Sequence, residues 1–159
     1  MLAESLKAIQ NLSVSQTVRT SLWVFPLLEC VHLYSMVFLI AAVATFDMRL
    51  MGFTLVRESQ PVSSLAKSVL VLAVICFGLN FATGLLLFGS KAQDYSVNWA
   101  FQLKLLLIAI AAVYHWVLLS RASKWGDAPA NSQASKVAGF TSLILWVGVI
   151  AASRWIAFA

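Results

Sequence analysis

Charge is scarce in this chain. Six acidic and eleven basic side chains make up 11% of 159 residues, where a soluble domain carries roughly 25%. A water-facing surface cannot be built from so few. Cysteine is equally sparse: Cys30 and Cys76 both fall inside apolar runs, which excludes a disulfide framework and makes each read as a small hydrophobe. Histidine occurs twice, at His32 and His115. No Ser/His/Asp set, P-loop or paired-carboxylate pattern appears, so a soluble-style enzyme is not indicated. The net charge of +5 does not point to nucleic acid, because the basic residues stand at the ends of apolar runs rather than along one stripe. The chain begins without a compact basic stretch leading into a short apolar core. Residues 1–21 are therefore expected to be retained rather than cleaved as a signal peptide.

What is abundant is hydrophobic length. Residues 61% of which are hydrophobic divide into four runs, 22–46, 65–89, 99–120 and 138–158. Each matches the ~20 residues that cross ~30 Å of hydrocarbon. The connections carry the turn and charge signals: Asp47, Arg49, Gly52, Arg57 and Pro61 in the first, and Gly126 and Pro129 in the third. Before the first run, Leu2, Leu6, Ile9, Val14 and Val18 recur at near-helical spacing, which predicts a short amphipathic helix over 2–18 on the membrane surface. The expected fold is all-α: a single transmembrane domain over 1–159, a four-helix bundle with an interfacial N-terminal helix.

Orientation follows from the basic residues. Arg49, Arg57, Lys67, Arg121, Lys124 and Lys136 flank the two longer connections, whereas Lys7, Arg19 and Lys91 lie on the other side. The excess predicts both longer loops on the cytoplasmic side, with both termini outside. Trp23, Tyr95, Trp99 and Trp155 then form an outer aromatic belt, with Trp125 at the inner interface.

The first run, LWVFPLLECVHLYSMVFLIAAVATF, holds Glu29 and His32 well inside it. Ionisable groups in a span usually face a protein interior and mark a cofactor, a pathway or a relay. Phe25, Glu29, His32, Met36, Leu39 and Val43 fall on one helical face, as do Lys104, Ile108, Ala111 and His115 in the third run. Counting from the span midpoints, Glu29, Lys104 and Arg154 occupy one layer roughly 7–9 Å to the outer side. His32 falls near the midplane, and His115 about 9 Å to the inner side. The second run is rich in small residues, Ala73, Gly78, Ala82 and Gly84, which permit close helix approach or leave room for a ligand.

Two histidines on different spans suit a b-type haem, since bundles build cofactor sites from side chains on facing helices. His32 would be the first ligand and His115 the second, with Lys104 and Arg154 on the propionates. Their different depths disfavour a simple bis-histidine site; a single-histidine site on His32, with Met36 or an open position opposite, is the fallback. Plain structural roles compete with this reading: hydrogen-bonded histidines, an ion-pair layer of Glu29, Lys104 and Arg154, and an interfacial charge pair of Asp47 with Arg49. Copper is the alternative cofactor, given Glu29, Cys30, His32 and Met36. Cys30 and His32, however, point about 200° apart around their helix. Proton movement through Glu29 and His32 is a third reading, without the inverted repeats or broken helices of transporters.

The run from Phe25 to Gly52 carries an aromatic-Pro-Leu-x-Glu-x-x-His segment and an Asp-x-Arg-Leu-x-Gly turn, at Phe25, Pro26, Leu27, Glu29, His32, Asp47, Arg49, Leu50 and Gly52. With FATGLLLF, FQLKLLLIAIAAVYHW and SRWIAF it resembles a family of small bacterial four-helix integral membrane proteins. That group is distantly similar to the membrane part of copper-resistance D-type proteins and to small membrane b-type cytochromes. The resemblance implies haem or copper. The sequence thus leads to a membrane b-type cytochrome-like electron-transfer subunit, working with the bilayer, other membrane or periplasmic redox subunits, possible homo-oligomers and quinone. Copper handling and a cofactor-free scaffold are the alternatives.

Overall fold

A computed structural model describes residues 2–53, 62–122, 132–156 and 158–159, with side chains from residue 4 onward. Among them are seven helices and no strand: α1 (Leu2–Gln10), α2 (Ser13–Thr20), α3 (Val24–Leu50), α4 (Val62–Ser90), α5 (Ala92–Val97), α6 (Trp99–Ala122) and α7 (Gln133–Trp155). Arg57, Pro61, Lys124, Trp125, Gly126 and Pro129 lie outside the described residues.

Four of these helices, α3, α4, α6 and α7, are long and apolar enough to span a membrane. Only 22–28% of the residues in their most apolar stretches are buried inside the protein. The rest of that apolar surface faces outward, as lipid-facing helices require. The bundle is a four-cornered array. α3 packs most extensively on α4, α6 on α7, and α3 also on α7. α4 meets α6 along a thinner seam, and the backbones of α3 and α6 stand diagonally opposite without contact.

Local chemistry sets the helix limits. Ser21 Oγ accepts from the Val24 amide at the start of α3, and Pro26 follows within the first turn, where its missing N–H is no loss. α3 ends in a Schellman motif: Gly52 adopts φ 92°, its amide donates to the Arg49 carbonyl, and the Phe53 amide donates to that of Met48. The helix therefore runs one turn beyond the apolar stretch ending at Phe46, and carries Asp47 with it. Asn98 Oδ1 accepts from the Phe101 amide and caps α6, while Ser132 caps α7 through the Ser135 amide.

Two buried clusters form the core. One gathers Phe46, Leu50, Ala66, Leu119 and Ala122 near the ends of the spans that carry the long connections. The other holds Leu39, Val43, Cys76, Ala111, Trp146 and Val149 in mid-bundle. Gly139 lets α7 close on α3, since a Cβ there would stand 2.7 Å from the Asp47 carbonyl oxygen.

The N-terminal segment is two helices, not the one predicted over 2–18. Asn11 and Leu12 separate them, and the polar side chains of Asn11 and Ser13 at this point are of the kind that compete with the backbone for hydrogen bonds. α2 also does more than lie at an interface. Its Ser15 and Val18 are buried, with Ser15 against Gly89 near the end of α4. α1 packs on α5, and Asn98 Nδ2 donates to the Ile156 and Ala159 carbonyls. Both chain ends and the α4–α6 connection thus share one end of the bundle, the terminal end, with Trp23, Trp99 and Trp155 outward-facing around it.

Candidate functional site

The polar residues of the spans separate into two layers, one towards the terminal end and one deeper.

The first is built on His32, which is half-buried on α3. Its Nδ1 lies 3.0 Å from Thr83 Oγ1, whose hydroxyl donates to the Leu79 carbonyl of its own helix at 2.8 Å. When that hydroxyl donates along its own helix, to the Leu79 carbonyl or to that of Asn80 at 3.1 Å, it accepts from His32 Nδ1–H and leaves the lone pair on Nε2. Asn80 Nδ2 donates to the His32 carbonyl at 2.9 Å and to Ser35 Oγ at 3.2 Å, so the amide of α4 ties the same turn of α3. Gly84 completes the fit: a Cβ there would press on His32 Cε1 at 3.2 Å. The half-buried Lys104 of α6 lies within electrostatic reach of His32, across the diagonal.

The predicted ionic layer is not an ion-pair network. Among the described residues no salt bridge joins Glu29 to Lys104 or Arg154. Glu29 is exposed and lies near Tyr95 of α5, and the Arg154 guanidinium stands 5.4 Å over the Phe158 ring. Burial, and then the charges of Glu29 and Asp94, push the Tyr95 phenol above its ordinary range.

The second layer centres on His115. Its ring is 4% exposed, and Nδ1 lies 3.0 Å from Ser142 Oγ on α7 and 4.0 Å from Asp47 Oδ1 on α3. Phe46 and Trp146 stand edge-on to the ring, with centroids 6.0 and 6.5 Å away. Asp47, expected as an interfacial partner of Arg49, is fully buried instead. Helical spacing explains the difference: Asp47 continues the inward face of Leu39 and Val43 for one more turn. Among the described residues, both Asp47 carboxylate oxygens, His115 Nε2 and Trp146 Nε1 are buried without a hydrogen-bond partner. Ser142 faces the same carboxylate without closing a hydrogen bond to it.

His115 and Trp146 line a cavity of about 520 Å³ at the α4–α6 seam. The rest of its wall is apolar, with Phe77, Ala112 and Trp116 among the lining residues. Gly78 opens it, for a Cβ there would meet nothing within 4 Å. Of the small residues of α4, Gly84 thus serves close approach and Gly78 serves empty space.

The two histidines are not brought together. His115 is level with Asp47, and His32 lies fifteen residues earlier on α3, a rise of about 22 Å at ~1.5 Å per residue. One iron cannot take both. Met36 sits one turn from His32 on the same helix and packs into the mid-bundle cluster, so it does not face His32 from a second helix. Among the described residues no three His, Cys, Asp or Glu side chains gather as a metal-ion site. Cys30 is exposed, and Cys76 is buried among apolar side chains. Sequence reasoning missed Ser142, Thr83 and Trp146, which are small or apolar residues whose part depends on a partner helix.

Comparison with protein-family models, curated proteins and solved structures finds no match to this chain. The functional reading rests on the residues.

Proposed function

We propose that this multi-pass membrane protein is an electron-transfer subunit that holds a b-type haem by His32 alone, at the terminal end of the bundle. The observation that carries the reading is the 3.0 Å hydrogen bond between His32 Nδ1 and Thr83 Oγ1. With Thr83 as acceptor of its Nδ1–H, Nε2 is a neutral lone-pair donor on a ring that packs against Gly84, while Asn80 holds the His32 backbone carbonyl. Metal-binding histidines are oriented in this way by a bond from the other ring nitrogen. Lys104 adds a cation within electrostatic reach and without a carboxylate partner among the described residues, suited to an acidic edge of the cofactor. Haem bound there would supply one-electron exchange at its iron. The chain's own part is to hold the imidazole, neutralise the propionate side and exclude water.

His115 suits a haem less well. Its cavity wall carries no cation for propionates, and Lys104 lies eleven residues away along α6, about 16 Å. Copper lacks a gathered donor set among the described residues. We read the terminal end, and this site, as periplasmic, a reading that the excess of basic residues at the opposite end supports.

The test is a reduced-minus-oxidised absorption spectrum of the protein purified in detergent. A Soret band with sharp alpha and beta bands is expected, lost in His32→Ala and kept in His115→Ala. A colourless folded protein would overturn the haem reading, and loss of the bands only in His115→Ala would move the ligand. Stoichiometric copper without haem would favour the alternative cofactor.

A further inference from the structure

Asp47 and His115 meet in the bundle interior, and the haem reading uses neither of them. We infer that the two form a proton-binding site, which holds one proton in the closed bundle and loosens α7 from α3 when that proton leaves.

Three observations converge. The first is enclosure. Asp47 is 0% exposed and His115 4%. Three helices build the site. The carboxyl comes from α3, the imidazole from α6 with Nδ1 4.0 Å from Oδ1, and the Ser142 hydroxyl from α7, 3.0 Å from the same nitrogen.

The second observation is that nothing else balances the charge. Both carboxyl oxygens and His115 Nε2 are without a hydrogen-bond partner among the described residues. The other rings beside the imidazole, Phe46 of α3 and Trp146 of α7, carry no charge. On α4, Cys76 lies in the mid-bundle cluster and Lys67 is exposed. On α6, Tyr114 donates its hydroxyl to the Ala138 carbonyl and Arg121 is exposed, as is Lys136 on α7. Arg49 stands two residues from Asp47, about 200° around the helix, and forms no ion pair with it among the described residues. A lone carboxylate in such surroundings is costly. One proton makes the pair neutral overall, either as carboxylic acid beside imidazole or as carboxylate beside imidazolium, so the two titrate as a unit.

The third observation is that the carboxyl has no way out of its own. A Cβ at Gly139 would stand 2.7 Å from the Asp47 carbonyl oxygen, so the backbones of α3 and α7 are close-packed at this level. An ionised Asp47 side chain reaches water only if the two helices part. Asp47 lies in the last turn of α3, so the proton exchanges at the end of the bundle that carries the long connections. By neutral pH an unfolded chain has given this proton to water. The folded bundle then binds one proton more. Its stability falls as pH rises through the range in which the site empties, by up to about tenfold in the folding equilibrium constant per pH unit.

The experiment uses the full chain in detergent, from neutral to alkaline pH, with Asp47→Asn as the neutral isostere of the protonated acid. The thermal unfolding midpoint of the parent should fall with pH more steeply than that of Asp47→Asn, in which all the other groups titrate alike. At alkaline pH the amides of α7 should exchange hydrogen several-fold faster in the parent than in Asp47→Asn at the same pH. His115→Gln leaves Asp47 as the sole holder of the proton. Its infrared spectrum should show a carboxylic-acid carbonyl band that Asp47→Asn lacks and that fades as pH rises. The inference is overturned if parent and Asp47→Asn midpoints run parallel, if α7 exchanges equally in both, or if His115→Gln has no such band. A midpoint that follows sodium concentration rather than pH would overturn it too, in favour of a metal cation. His32→Ala should keep the parent's pH dependence, which separates this site from the haem reading.

Discussion

Nδ1 of His115 lies 4.0 Å from Oδ1 of Asp47, in a bundle interior where neither carboxylate oxygen has a hydrogen-bond partner among the described residues. The carboxylate orients the imidazole from α3 while Ser142 bonds it from α7. Because Asp47 has no hydrogen bond to lose, Asp47→Asn should change folding stability by no more than about 1 kcal/mol. Denaturant unfolding of the parent and Asp47→Asn in the same detergent measures the difference. A loss of several kcal/mol would show that Asp47 holds the fold rather than the histidine.

Thr83 has the corresponding role at His32. Thr83→Val keeps the shape and removes the acceptor for the Nδ1–H. Val has no hydroxyl to return to the Leu79 carbonyl either, but that carbonyl is already within the α4 helix. The folded protein should survive with a cost of about 1 kcal/mol. On the haem reading, the reduced alpha band should shift or weaken, and Thr83→Ser should restore it. An identical spectrum in Thr83→Val would remove the tautomer argument for His32.

Two glycines make a matched pair. A Cβ at Gly139 would meet the Asp47 carbonyl oxygen at 2.7 Å, Leu50 Cβ at 3.2 Å and Met51 Cγ at 3.3 Å. Backbone cannot swing aside as a side-chain tip can, so Gly139→Ala should cost about 1–3 kcal/mol as α7 is pushed from α3. Gly78→Ala meets nothing within 4 Å and should be neutral or stabilising by up to about 1 kcal/mol through helix propensity. Unfolding midpoints of the two variants in the same detergent decide the contrast.

The four spans were legible because hydrophobic length alone specifies them, and each helix lies within a few residues of its apolar run. Asp47 was less so. A carboxylate at the end of an apolar stretch reads as an interface, yet four-residue spacing from Val43 already put it on the inward face. That signal was present and outweighed by composition. The break at Asn11–Leu12 was written in the poor helix formers Asn11 and Ser13, against an apolar periodicity that ran through it. What could not be read was pairing between helices. That Thr83 meets His32, that Ser142 meets His115, and that the histidines stand about 22 Å apart depend on which helices become neighbours. Periodicity within a single span contains nothing about that.

Asn98 joins three segments through one side chain. Its Oδ1 caps α6 by accepting from the Phe101 amide, and its Nδ2 holds the Ile156 and Ala159 carbonyls. Asn98→Ala should lose the cap, worth about 0.5–2 kcal/mol, and release the C-terminus. Asn98→Asp keeps the cap and loses only the donor. If the C-terminal tie matters, carboxypeptidase should trim both variants faster than the parent, while only Asn98→Ala lowers the unfolding midpoint appreciably. Equal midpoints for all three proteins would remove Asn98 from the account of how α6 begins.

The docking of α2 makes a prediction that an interfacial helix would not. Ser15 is 7% exposed and Val18 3% exposed, and a Cβ at Gly89 would stand 2.7 Å from Ser15 Oγ. α1 shares the attachment through Gln10, whose side-chain amide donates to the Ser90 carbonyl at 3.4 Å. Gly89→Leu should therefore lift α2 from α4 without disturbing the spans below, because Gly89 lies one residue from the end of its helix. Arg19 on α2 then becomes the reporter: limited trypsin digestion in nanodiscs should cut after it faster in Gly89→Leu than in the parent. A helix held only by its apolar face in the lipid would be cut at the same rate in both proteins, and that result would refute docking on α4.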